Sequence, residues 1–229
     1  MKNFMARRDL LRLGLAASTL ATAPAIATAQ GKKARQGDLS GGGALLDFSN
    51  VQVLFADLQT SLVAGSRTVS SQALGRSSSA LANVATVLGI PMLFSVVPEA
   101  NSEPVLIPEL LPFATQANTF KRTLAGPFMD EKTVAKLASN KRKTLIVAGF
   151  AAEVVVVQTV LDALKAGYEI QYVIDAVGGL SERTEAAALR HAQLVGAVPT
   201  SVVSLTTRMT PDFFHAPGSE TFKAIQPLL

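Results

Sequence analysis

The sequence predicts a three-layer α/β/α domain with a mostly parallel, Rossmann-like sheet of about six strands. Three observations lead there. Short apolar β-branched runs alternate with longer stretches of helical periodicity, the order that repeated β-α units with right-handed crossovers produce. The 229-residue chain is 48% hydrophobic but only 6% aromatic and has no Trp, so Val, Leu, Ile and Ala must fill the core, as they do in parallel sheets covered on both faces. Finally, Gly89, Gly167 and Gly196 each close a helical stretch just before the next apolar run.

The strands are expected at Val51 to Ala56, Met92 to Val97, Thr119 to Thr123, Leu145 to Ala148, Ile170 to Ile174 and Val198 to Leu205. In Ser77 to Leu88, the residues Leu81, Val84, Ala85 and Leu88 recur at helical spacing, and Pro91 opens the following strand. Asp130 is placed to cap a helix from Glu131 to Leu137, and Ser181 one from Glu182 to Leu194. A helix buried on most sides is expected from Ala151 through Leu164, ending at Gly167. The tail from Met209 to Leu229 carries Phe213, Phe214 and Phe222, too apolar for water. It is expected to dock on its own domain or on a neighbouring subunit, the second being favoured.

Residues 1–29 have the layout of an export signal. A basic start is followed by an apolar stretch from Leu13 to Ile26 and by Ala27-Thr28-Ala29 as a cleavage site. Arg7-Arg8 followed by Asp9-Leu10-Leu11-Arg12 resembles a twin-arginine signal, which implies the twin-arginine export machinery as a partner and a periplasmic or secreted protein. No stable membrane insertion is expected after cleavage, because the segment is short and weakly apolar. Residues 30–43 are polar and Gly-rich and read as a flexible linker. The folded domain is expected over 44–208, followed by the tail at 209–229.

Of 21 basic and 17 acidic side chains, four and one respectively fall in the first 29 residues, leaving the body at +1. A nearly neutral body has no electrostatic footprint for nucleic acid. The chain has no cysteine, which excludes disulfides and any thiolate mechanism. Neither a G-x-G-x-x-G nor a P-loop pattern occurs, so no cofactor is implied. His191 and His215 are isolated, so no metal site is expected.

Open parallel sheets bind ligands at the carboxyl ends of their strands, which directs attention to Asp57, Lys121 and the corner Gly149 to Val155. A carboxylate after the apolar run Val53 to Ala56 is costly to bury unless it is paired or working. Lys121 can supply the paired cation, and Arg122 can equally be the inward one. Asp175 is a second candidate for the pocket rim, and Gly178-Gly179 is expected to make the turn into the next helix.

On this frame, Gln52 to Gln59, Lys121 to Phe128, Leu145 to Val156, Ala163 to Ala176 and Leu189 to Ala197 resemble the isochorismatase-like cysteine hydrolases, and most of all their YcaC-type branch. The resemblance spans about residues 48 to 208. It implies Asp57 and Lys121 as catalytic residues, with Arg also found at the Lys position in the YcaC-type branch. It implies a corner of the form Gly-x-x-Thr-Asp/Glu-Val-Cys-Val. Here that corner reads Gly149-Phe150-Ala151-Ala152-Glu153-Val154-Val155-Val156, so Val155 takes the nucleophile's place and Ala152 that of Thr. Substrate contacts are implied for Phe128, Ala151, Ala152, Glu153 and Val154. Members of the branch form symmetric oligomers, so a homo-oligomer is expected.

Valine offers neither a lone pair nor a proton, and covalent thioester chemistry is excluded. Three readings remain. The chain is a degenerate member that binds a small-molecule ligand of unknown identity; or it is a hydrolase without a covalent intermediate, in which Asp57 protonates a vinyl ether as the resemblance to true isochorismatases implies; or it acts on an unrelated amide or ester, with Glu153 or Asp57 activating water.

Overall fold

The computed structural model describes residues 45–100 and 102–229; the expected signal and linker lie outside the described residues. Six strands, β1 (Val51–Ala56), β2 (Met92–Val96), β3 (Thr119–Lys121), β4 (Thr144–Phe150), β5 (Glu169–Gly178) and β6 (Val198–Thr200), form one sheet in the order β3-β2-β1-β4-β5-β6. Every neighbouring pair is parallel. The chain builds outward from β1 in one direction and from β4 in the other, so the strand order reverses between these two central strands. A crevice opens at their carboxyl ends for that reason.

Among the described residues seven α-helices accompany the sheet: α1 (Thr60–Val63), α2 (Ser71–Val87), α3 (Glu131–Ser139), α4 (Val157–Lys165), α5 (Glu182–Leu194), α6 (Val202–Met209) and α7 (Gly218–Ile225). Alternation along the strands feeds two cores. Val53, Phe55, Ile146 and Ala148 pack with residues of α2, α6 and α7 on one face. Leu54, Leu145, Val147 and Tyr172 pack with residues of α3, α4 and α5 on the other. Phe55 and Phe94 stack with ring centroids 5.1 Å apart inside the first core.

Local chemistry sets the helix starts. Asp130 accepts from the Thr133 N–H at 2.8 Å, and Ser181 from the Thr184 N–H at 3.2 Å, as their positions predict. α2 begins six residues before the apolar periodicity does, because Ser70 caps a polar first turn through the Ala73 N–H at 3.1 Å. The expected strand Val198 to Leu205 is corrected. The strand stops at Thr200, and Ser201 caps α6 by accepting from the Ser204 N–H at 3.1 Å. Two valines after Ser201 suggest a strand, but the cap and the Asp175 carboxylate, which accepts from the Val202 N–H at 3.0 Å, favour the helix. β5 is longer than expected because its register against β4 slips between Val147 and Gly149, bulging out the residues around Ile174.

The tail packs on its own domain. α7 lies against α2 and α6, Phe222 joins the first core, and the Phe213 and Phe222 rings meet at 5.0 Å. Phe213 and Phe214 keep solvent exposure, at 42% and 91%.

Candidate functional site

The ends of β1 and β4 approach closely because Gly149 has no side chain. A Cβ there would lie 2.5 Å from the Ala56 carbonyl oxygen. Beyond them lies a cavity of about 460 Å³ whose wall includes Asp57, Arg122, Phe150, Ala151, Val154 and Val155. Its size suits a small molecule.

Asp57 follows β1 directly, in the left-handed region at φ 57°, which a non-glycine residue adopts at a cost. Its N–H donates to the Ser95 carbonyl at 2.8 Å. Its Oδ2 accepts from Arg122 Nη2 at 2.6 Å, and both side chains are buried. Arg122 is held by its own N–H on the Val96 carbonyl at 3.0 Å and by Nη1 donating to the Leu124 carbonyl. Burial pushes the Asp57 carboxyl up to about 6, against the opposing pull of the Arg122 charge and hydrogen bond. Asp57 Oδ1 and Arg122 Nε are buried without a protein partner, which leaves an acceptor and a donor for a ligand.

Lys121 does not belong to this pair. Its Nζ bonds Glu103 at 2.9 Å in a solvent-exposed ion pair. Lys121 ends β3, and successive side chains point to opposite sides of an extended chain, so the inward cation is its neighbour Arg122. Of the two basic residues, only the guanidinium is certain to stay charged when buried.

At the β4 corner the Phe150–Ala151 peptide is cis, and residues Ala152–Val156 form a π-helical turn that runs into α4. Ala151, Val154 and Val155 reach the cavity; Ala152 and Glu153 do not. Ala152 is buried in the second core. The Glu153 carboxylate turns instead to the start of α5, where Oε1 accepts from the Leu180 N–H at 2.9 Å and from the Thr184 hydroxyl. Phe128 also lies away from the cavity, its ring edge-on to Tyr168 at 5.7 Å. Asp175 caps α6 and is no part of the rim. The cavity also recruits Leu62 of the short helix α1 and Val97, Leu124 and Leu180, the last three lying outside helices and strands with no periodicity to reveal them. The mouth residues Leu124, Val154 and Leu180 are about half exposed.

Fold and cleft together define an open parallel α/β protein with a small-molecule pocket at the point where its strand order reverses. The isochorismatase domain profile matches residues 51–204, and the chain belongs to the isochorismatase family. Among curated proteins it is similar to isochorismatase family protein 1A of Dictyostelium discoideum, 30% identical over 115 residues, or 49% of this chain and 53% of that one. It is also similar to a secreted isochorismatase effector of Phytophthora sojae, 34% identical over 89 residues, covering 39% of this chain and 40% of the effector. The chain thus spans about half or less of the length of these relatives. Among solved structures it resembles YcaC from Pseudomonas aeruginosa, solved with hexane-2,5-diol and covalent acrylamide, at TM-score 0.74 and 26% identity over 80% of this chain and 93% of that one. The Escherichia coli YcaC gene product, described as an octameric hydrolase of unknown specificity, shares the fold at TM-score 0.72 and 24% identity, covering 80% and 91% of the two chains.

Proposed function

We propose that this chain is an exported isochorismatase-family protein that binds a small, largely apolar ligand beside the Asp57–Arg122 pair and forms no covalent intermediate with it. One observation carries the reading: the turn after β4 presents Val155 to the same cavity as the buried Asp57, in a chain with no cysteine. Val155 holds the place of the family's nucleophile and offers only hydrocarbon. What is left for the site is recognition. Asp57 Oδ1 accepts from a donor on the ligand, Arg122 fixes the Asp57 rotamer, and Ala151, Val154, Leu124 and Leu180 cover the apolar part.

The chain is organised for export as residues 1–29 signal, 30–43 linker, 44–208 folded domain and 209–229 tail. The paired arginines suit the twin-arginine machinery, which carries folded proteins, and a periplasmic or secreted destination. The similarity to a secreted effector supports export. The octameric assembly of the Escherichia coli relative supports a homo-oligomer.

A second reading is favoured by the Asp57 carboxyl lying near 6. At neutral pH about a tenth of such a group retains its proton, enough for a general acid to protonate a vinyl ether without a nucleophile. Hydrolysis of an amide or ester by an activated water is the remaining form of this alternative. Purified protein assayed on vinyl ethers, amides and esters beside Asp57→Ala decides between them. Ligand binding without turnover is expected; turnover that disappears in Asp57→Ala replaces the binding protein with the acid catalyst.

A further inference from the structure

Among the described residues, the wall of the cavity beyond β1 and β4 holds one negative and one positive side chain, and the two engage each other. Asp57 and Arg122 are its only charged residues, and Thr123 is the only other with a polar side chain; the rest, such as Leu62, Val97, Phe150 and Leu180, is apolar. Asp57 Oδ2 and Arg122 Nη2 meet at 2.6 Å, their side chains 8% and 1% exposed. Arg122 Nη1 is also taken, donating to the Leu124 carbonyl. Only Nε of the guanidinium and Oδ1 of the carboxylate are left without a partner. The wall therefore offers a ligand one donor, one acceptor and no net charge.

Given the ligand-binding role proposed for this cavity, we infer that it selects an uncharged ligand whose head group both donates and accepts a hydrogen bond, a hydroxyl being the smallest such group, and that it excludes carboxylates. A ligand carboxylate brings a second anion beside Asp57, while the one cation in the wall is already held by two acceptors. Its burial leaves a negative charge with no partner. A ligand ammonium leaves a positive charge over in the same way, because the guanidinium stays protonated when buried. A hydroxyl adds no charge. Oδ1 and Nε belong to two groups in direct contact, so one hydroxyl donates to the first, accepts from the second and satisfies both orphaned atoms. The apolar body of the ligand then lies against Phe150, Val154 and Val155. Asp57 determines this specificity, since it occupies the arginine that a carboxylate would need. The same charge balance confines any acid catalysis by Asp57 to vinyl ethers that carry no carboxylate.

Benzyl alcohol, benzoate and benzylammonium share one apolar body and differ in charge. Their dissociation constants are read from ligand-observed NMR titrations of the full-length protein at about pH 8, above the range in which Asp57 ionises. Benzyl alcohol is expected to bind the unmodified protein one to one, and benzoate and benzylammonium at least about tenfold more weakly. Asp57→Asn frees the guanidinium, and Asn tolerates the left-handed backbone of that position. In this variant benzoate is expected to gain at least about tenfold and to overtake benzyl alcohol. Benzoate or benzylammonium binding the unmodified protein as tightly as benzyl alcohol overturns the charge selection and leaves the ligand pocket in place. So does a benzoate affinity that is unchanged in folded Asp57→Asn; should that variant not fold, the order of the three probes on the unmodified protein decides. Failure of every probe to bind either protein removes the ligand pocket itself, and the selection with it.

Discussion

Replacing Asp57 by Asn isolates the electrostatic cost of the pocket. The Asp57 carboxyl titrates near 6 in the folded protein, against 3.8 in its ordinary range. The folded state therefore binds more protons than the unfolded chain between about pH 4 and pH 6, and stability falls as pH rises through that window. Below it, Asp57 is protonated in both states and contributes nothing. Above it, the full penalty is present: about two pKa units, or about 3 kcal/mol. Asn does not titrate, so the stability difference between the unmodified protein and Asp57→Asn isolates this carboxylate. Urea denaturation at a series of pH values from 4 to 7 measures it. The unmodified protein is expected to lose about 3 kcal/mol relative to the variant as pH rises. A difference that stays flat across the window, or rises with pH, refutes a carboxyl raised by burial and implies that the Arg122 contact dominates.

The two neighbouring basic residues are expected to separate sharply. Arg122→Met strands a buried carboxylate and costs about 3 to 5 kcal/mol at neutral pH, whereas Lys121→Ala removes an exposed ion pair worth under about 1 kcal/mol; chemical denaturation reads both. In the tail, Phe222→Ala is expected to lower stability by about 2 kcal/mol or more by opening the first core, and Phe214→Ala to change it by under about 0.5 kcal/mol. Equal effects at the two phenylalanines contradict docking of the tail on its own domain.

Much of this was legible in the sequence where local chemistry and pattern agree. Val53 to Ala56 is an uninterrupted apolar run ahead of an acid, and β1 ends with it. Ser181 followed by a charged first turn announces α5. Asp57 was legible because a carboxylate at the end of a buried strand has few inexpensive places to go. What the sequence obscured depends on contacts distant in the chain. The choice between Lys121 and Arg122 turns on which side of β3 faces the crevice. α6 reads as a strand until Asp175, 27 residues earlier, takes the Val202 N–H. Glu153 looks like a pocket residue by its place in the corner, and only the position of α5 shows that its carboxylate faces the other way.

The most direct test restores the missing atom. Val155→Cys, treated with acrylamide and read by intact mass, interrogates the cavity in a chain that has no other cysteine to react. A thiol in the π-turn leading into α4, in the cavity that Arg122 also lines, is activated by the helix start and by that cation. The variant is therefore expected to take up one adduct faster than a free thiol, and the unmodified protein none. A folded Val155→Cys that remains unlabelled, or reacts no faster than cysteine in an unstructured peptide, contradicts the placement of Val155 at the nucleophile's position in an otherwise intact pocket.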